Sequence, residues 1–284
     1  MAIFKVENEL GRVLQLSGME HKWQIKSITG LNQPNAALSL SVIPTLDGER
    51  LNSTRLEKRN PLITLSINGN VEQNLLELNT VIQSKKFLRL YFKSNLFDVH
   101  VDGTVESFEY DHFENGKVVA QISLICENPY WISNEGEETT ISKIISLLEF
   151  PISLPAEGIA FSEIKPKASE TITNGGNTDS PIIIRLEASG KVVSPKITDE
   201  ATGKSLEINI NMKKGDVLLI NTKKGSKKIE LSSGTSVKSV ANKVALPITW
   251  LELTPGFNTI SITAKSGIQK LTATVTSSDV FGGV

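Results

Sequence analysis

The sequence predicts a mainly β chain. An N-terminal β-sandwich-like domain carries one α-helix and a projecting β-hairpin arm, and a second β-sandwich of jelly-roll type follows it. Three observations predict this. Apolar residues recur with a period of two in most segments, most clearly over Val118–Ile125. Helical spacing occurs in one stretch, after Asn70. Beyond Phe161, short apolar runs alternate with Gly, Pro and Asn turn signals, as in a sandwich. At 284 residues the chain is long enough for two sizeable cores. The expected division is 1–133, a linker 134–150, and 151–284.

In chain order, Ile3-Phe4, Val13–Leu16 and Trp23–Ile28 read as short strands punctuated by Gly11 and Gly18. Gly30, Asn32, Pro34 and Asn35 form a turn cluster. Ala37–Ile43 and Glu49–Leu56 flank Asp47-Gly48, a hairpin signal because both residues accept positive φ. This hairpin is long and poor in large apolar residues. A two-stranded hairpin is marginal alone in water, so it is expected to project as an arm and pair elsewhere, through Leu38, Leu40, Val42, Asp47, Gly48, Arg50 and Arg55.

Pro61–Asn68 reads as a strand. Asn70 then caps a helix expected over Val71–Ser84, with Gln73 at capping-box spacing. Val71, Leu75, Leu78 and Ile82 form its apolar stripe, widened by Leu76. Phe87–Phe92, Asp98–Val101, Val105–Phe113 and Val118–Ile125 read as strands, the last two joined by Glu114-Asn115-Gly116. The segment Val118–Trp131 is expected to close the first domain, with Asn128, Pro129, Tyr130 and Trp131 as a domain-end motif. Pro129 ends the pairing, and the two rings pack past the strand end. Glu135, Glu137 and Glu138 mark the exit. Ile141–Leu148 reads as a helical turn or a strand, ended by Pro151 and Pro155. Strands then follow at Pro181–Leu186, Pro195–Ile197, Leu206–Ile210, Val217–Ile220, Lys228–Leu231, Trp250–Leu253 and Thr259–Ile262.

The composition, 39% hydrophobic and 21% charged, is that of a globular protein. The net charge of −1 hides an asymmetry. Residues 1–184 hold 16 basic and 23 acidic side chains, a balance of −7, and 185–284 hold 14 and 8, a balance of +6. Opposite halves point to self-association or a docking surface. The positive half is Lys-rich without interleaved aromatics, which argues against a nucleic-acid groove. The lone Cys126 permits no internal disulfide and reads as a small buried hydrophobe. MAIFKVENELG lacks the basic and apolar regions of a signal peptide, and no run approaches membrane-spanning length, so synthesis and folding in a cytoplasm are expected.

No catalytic, cofactor or metal set emerges. His100 and Asp102 share a strand face, but no third ligand stands at suitable spacing. Glu106, Glu109 and Asp111 lie beside a hairpin, and Glu109 and Asp111 alternate with Phe108, Tyr110 and His112 as the wet face of a strand. No GxSxG, phosphate loop or dinucleotide fingerprint occurs. The expectation is no enzyme and no cofactor.

Several motifs occur in a telling order: Ile28-Thr29-Gly30-Leu31-Asn32, the hairpin around Asp47-Gly48, Arg55 and Arg59 before Ile63–Ile67, and the single helix. Phe87–Tyr91, Gly103-Thr104-Val105-Glu106 and Gln121-Ile122-Ser123 leading to Glu127-Asn128-Pro129-Tyr130-Trp131 follow. In this order they resemble the N-terminal half of a siphophage distal tail protein (Dit), the ring of the tail hub. Asn174-Gly175-Gly176, Pro181-Ile182-Ile183, Thr202-Gly203, Gly215-Asp216, Ile220-Asn221-Thr222 and Leu253–Asn258 are similar to the family's galectin-like C-terminal domain. Ser232–Pro247, Ser- and Lys-rich, departs from the pattern.

The resemblance implies a structural protein of the tail tip or baseplate of a phage or prophage virion. It implies a homohexameric ring, with the tail tube and the tail-associated or receptor-binding proteins as partners and neither nucleic acid nor membrane. The alternative is a carbohydrate-binding module contacting host cell-wall glycans, with Phe161, Trp250, Phe257 and Phe281 as its available rings.

Overall fold

A computed structural model of the chain describes residues 2–17, 22–45, 47–112, 118–141, 144–146, 162–164 and 168–284. The chain forms two compact units, Met1–Glu135 with Val280–Val284, and Gly136–Asp279. The fold is antiparallel β, as the sequence predicts, with a single α-helix among the described residues.

Unit 1 contains β1 (Ile3–Asn8), β2 (Val13–Gln15), β3 (Trp23–Thr29), β4 (Ala36–Val42), β5 (Glu49–Leu56), β6 (Leu62–Ile67), α1 (Val71–Val81), β7 (Phe87–Lys93), β8 (Asp98–His112), β9 (Val118–Ile125) and the start of β10 (Trp131–Ile141). One run of strands is β2-β1-β7-β8 and the other is β3-β6-β9-β8. The shared strand β8 pairs with β7 over Asp98–Thr104 and with β9 over Thr104–His112, its register slipping between Val105 and Ser107. A strand that serves two sheets bends at a bulge. Gly103 stands at the bend. A Cβ there would lie 2.7 Å from the Ile125 carbonyl oxygen and 2.9 Å from Cys126 Sγ, so the close crossing requires glycine. The core between the runs includes Val6, Leu65, Leu90, Val101, Ile122 and Trp131.

The helix begins as expected: the Asn70 side chain accepts the Gln73 N–H at 3.3 Å. It ends at Val81, three residues short of Ser84, because Ile82 takes an extended conformation and turns its side chain into the core. Leu76, assigned to the apolar stripe, is exposed, and Asn74 is buried in its stead. The Asn74 amide donates to the Asn68 carbonyl at 2.7 Å and tethers the helix to the end of β6. The segment expected to close the first domain ends its strand before Pro129, and a further strand then opens. Pairing of β9 stops at Ile125, and Trp131 opens β10, which carries the acidic stretch as strand rather than as a loose exit.

Unit 2 holds the rest of β10, β11 (Ile144–Ser146), β12 (Ser162–Ile164), β13 (Ala168–Asn174), β14 (Ser180–Ala188), β15 (Val192–Asp199), β16 (Ser205–Glu207), β17 (Asn211–Met212), β18 (Val217–Asn221), β19 (Lys228–Ser233), β20 (Ser236–Ser239), β21 (Glu252–Leu253), β22 (Gly256–Ser266) and most of β23 (Leu271–Phe281). One sheet runs β23-β14-β18-β19-β20, with β21 also on β14. The other runs β13-β22-β15-β16, with β17 on β15. Ile182, Ile184, Leu218, Ile197, Ile260 and Ile262 pack between them. Of the two readings of Ile141–Leu148, strand holds at Ile144–Ser146, which pairs with Ser162–Ile164. The Ser- and Lys-rich Ser232–Pro247 supplies the end of β19, all of β20 and a 3-10 turn at Ala241–Lys243. Gly18, His21, the Glu114-Asn115-Gly116 turn, Pro151, Pro155 and Phe161 lie outside the described residues.

The turn motifs of unit 2 are clasps built from buried side chains. Asn174 Nδ2 donates to the carbonyls of Thr178 and Leu253, both at 2.9 Å, while its Oδ1 accepts Gly176 N–H. Asn258 Nδ2 donates to the Thr254 carbonyl at 2.7 Å, and its Oδ1 accepts the Thr254 N–H and hydroxyl. Thr222 Oγ1 accepts Ile182 N–H at 2.9 Å. Asp216 accepts Lys213 N–H and the Ser233 hydroxyl. These residues satisfy backbone groups in turns, a structural use of polar side chains.

Candidate assembly elements: the hairpin arm and its root

Strands β4 and β5 form a two-stranded sheet of their own. Ala36 faces Leu56 and Val42 faces Glu49, with a shift after Ser39. Residues directly opposite in an antiparallel pair share a face. The pairs Ala36–Leu56, Leu38–Thr54, Leu40–Leu51 and Val42–Glu49 therefore place Leu38, Leu40, Val42, Leu51 and Leu56 on one side, beside Ala36. Leu38, Leu40, Val42, Leu51 and Leu56 are 41–70% exposed. Arg50 opposes Ser41 and Arg55 opposes Ala37, on the other, polar side. At the tip Asp47 is exposed, and Gly48 takes φ 87°, which suits glycine. The connection, Ile43–Gly48, is longer than the two-residue turn that Asp-Gly favours.

The root of the arm is built differently. Glu57 N–H donates to the Asn35 carbonyl at 2.8 Å, closing the two feet. Just beyond, Arg59 is 2% exposed. Its Nε donates to the Pro129 carbonyl at 2.6 Å. Nη1 donates to the carbonyls of Gly30, Leu31 and Asn32 at 2.6, 3.0 and 2.6 Å, and Nη2 to that of Gly282 at 2.5 Å. The guanidinium lies 5.4 Å from the centre of the Trp131 ring, and Trp131 Nε1 donates to Leu31 at 3.2 Å. Arg59 and Cys126 also exchange backbone hydrogen bonds at 3.1 and 2.9 Å. Burial pushes the Arg59 pKa down from its usual value, yet a guanidinium keeps its charge at neutral pH. Gly30 permits the approach: at φ 78°, a Cβ there would lie 2.4 Å from the Asn60 carbonyl oxygen.

One buried cation thus brings together three of the sequence motifs, Gly30–Asn32, Arg59 and Asn128–Trp131. Within the last, Asn128 Oδ1 accepts Tyr130 N–H at 3.4 Å, Pro129 feeds its carbonyl to Arg59, and Trp131 is fully buried. The Gly282 contact was not legible beforehand. Its partner lies 223 residues away, and nothing local marks it.

The chemistry considered for the wet strand face resolves into internal pairs. Asp102 holds Arg89 in a two-point pair, Nε–Oδ1 2.5 Å and Nη2–Oδ2 2.9 Å, and this raises the Arg89 pKa. His100 Nδ1 is 2.7 Å from Asn134 Oδ1, and Glu106 accepts the Ser123 hydroxyl at 2.7 Å. Among the described residues, no group of three or more His, Cys, Asp or Glu is placed to hold a metal ion. No helix there is long and apolar enough to cross a membrane.

Residues 175–278 match the family described as siphovirus-type tail component, C-terminal domain, of the Dit type. The chain carries that domain within its second unit. Its fold is that of the Dit protein of phage SPP1, described as a paradigm of the hub adsorption apparatus in phages that infect Gram-positive hosts. The two share 14% identity at a TM-score of 0.67, over 98% of this chain and 99% of that one. A chain of the phage P2 baseplate in its activated conformation with Ca is similar over 100% of both chains, with 12% identity and a TM-score of 0.54. A second P2 baseplate structure, with Sr, covers 97% of this chain and 98% of its own at 12% identity and 0.50. No curated protein matches the sequence. The domain at 175–278 supports a structural role in a phage tail or baseplate.

Proposed function

We propose that this chain is a tail component of the Dit type and forms the ring hub at the tail tip, joining the tail tube to the host-adhesion proteins. Unit 1 builds the ring, and unit 2 holds receptor-binding proteins. The hairpin arm, through Leu38, Leu40, Val42 and Leu51, lies on the next copy, with Asp47 and Gly48 at its tip and Arg50 and Arg55 on its polar side. Asn128–Trp131 brace its root. Such a contact is heterologous and closes by rotation. Six copies is the number that the family resemblance implies. The reading is carried by one observation: the arm turns an aliphatic face outward and pairs with no other strand among the described residues.

Deleting Leu38–Thr54 is expected to leave a folded monomer, measured by light scattering and native mass. An intact ring after the deletion overturns the reading. A second reading, glycan binding by residues 151–284, is favoured by Phe257, 79% exposed on β22. Trp250, half-buried with Lys227 over its ring, is a poorer platform. Cell-wall pulldown by the full chain, undiminished by Phe257→Ala, removes this second reading.

A further inference from the structure

The root of the arm rests on backbone from three distant places in the sequence. Residues 30–32 precede the arm and Arg59 follows it. The third support is residues 280–284. Gly282 gives its carbonyl to Arg59 Nη2, and Val284 N–H donates to the Leu31 carbonyl at 3.2 Å. Gly283 lies flat against the first foot. A Cβ on it would stand 2.7 Å from Gln33 N and 2.9 Å from the Asn32 carbonyl carbon. Phe281 meets Phe97 edge to face at 5.3 Å and anchors the segment in the core of unit 1. Without this segment the feet are joined, among the described residues, by the Glu57–Asn35 backbone bond and by Arg59 Nη1 on the carbonyls of residues 30–32, and Nη2 is left without its acceptor. A two-stranded ribbon joined to a body by two single strands swings about those strands unless its feet are fixed.

We infer that residues 280–284, gripped by Arg59, are the positioning element that aims the arm. The inference rests on the arm being the assembly contact, and it concerns what sets the direction of that contact. The segment pins the outgoing foot, at Leu31–Gln33, to the returning foot, at Arg59, so that the aliphatic face is presented in one orientation. Docking a held arm loses less conformational freedom than docking a swinging one, and the difference appears as affinity.

The test uses the full chain with Gly283→Ala, whose methyl meets backbone that cannot yield. Spin labels go on Asp47→Cys at the arm tip and Glu72→Cys on α1, both exposed in the parent. Cys126 is fully buried and does not take label. Labelled chains are diluted with unlabelled ones so that distances within one copy are read. The parent is expected to give one narrow distance. Gly283→Ala is expected to lose it for a broad distribution while keeping the circular dichroism of the parent, and to raise the concentration for half-assembly about tenfold. Arg59→Lys, with one nitrogen for five carbonyls, is expected to act in the same direction. If Arg59→Lys does not fold, Gly283→Ala alone decides. A distance as narrow in Gly283→Ala as in the parent overturns the inference. If the parent never assembles, the ring reading fails, and the distance measurement still judges the aim of the arm.

Discussion

Arg59 shows how a charge is kept inside a fold without an opposite charge. Its five acceptors are backbone carbonyls, whose dipoles supply the negative ends. Replacing it leaves those carbonyls in a site closed to water, and each unsatisfied buried group costs about 1–3 kcal/mol. Cys126, its backbone partner, is the other informative residue. Burial pushes its thiol up to about 12, from about 9 in the open chain. The folded state therefore holds the proton where the unfolded state releases it. The contribution is fully present below pH 9 and is lost as pH rises toward 12. Urea midpoints between pH 8 and 11 are expected to fall more steeply in the parent than in Cys126→Ala. Parallel slopes would show that the thiol does not contribute. The burial of Cys126 was legible from its place on the apolar face of a strand. The role of Arg59 was not, because a lone Arg between a hairpin and a strand has the same local pattern whether it faces water or carbonyls.

At the scale of elements, α1 shows what local chemistry decides. Its start is written in Asn70 and Gln73, since capping is a contact within one turn. Its end is set by the core, which draws Ile82 out of helical conformation. The spacing of Leu76 fits the apolar stripe, but the helix is narrower on its buried side than that stripe. The arm is the converse case. Its poverty in large apolar residues foretold exposure, and the strand pairing then places its few aliphatics on one face. Exposed positions tolerate change, usually within about 0.5 kcal/mol. The pair Leu40→Lys and Leu51→Lys is thus expected to leave the thermal midpoint of the isolated chain unchanged while weakening assembly. A fall in that midpoint without loss of assembly would mean that the face is covered by its own body. The stop at Asn128-Pro129 was legible from the missing N–H, whereas the new strand that opens at Trp131 was not, because the acidic residues after it read as an exit.

Over the whole molecule, fold class followed from periodicity and turn spacing, both local quantities. Membership of Val280–Val284 in unit 1 is a long-range fact with no local correlate. Tryptophans separate the two units: Trp23 and Trp131 lie in the core of the first, and Trp250 packs on the core of the second. Removing residues 280–284 is expected to lower the unfolding midpoint read by Trp23 and Trp131, in a chain carrying Trp250→Phe. The cause is loss of the Gly282 acceptor and the Phe281 ring. The midpoint read by Trp250 in the Trp23→Phe, Trp131→Phe chain would serve as the internal control.

The grip of Arg59 on Gly282 also fixes a schedule for biosynthesis. Residues 1–135 leave the ribosome long before residue 282 exists, and their guanidinium waits meanwhile with one hand empty. A polysome therefore displays many arms whose bases are still unlatched, side by side on one message. On the proposed reading, an arm on a nascent chain is not aimed at a neighbour until residues 280–284 have been made.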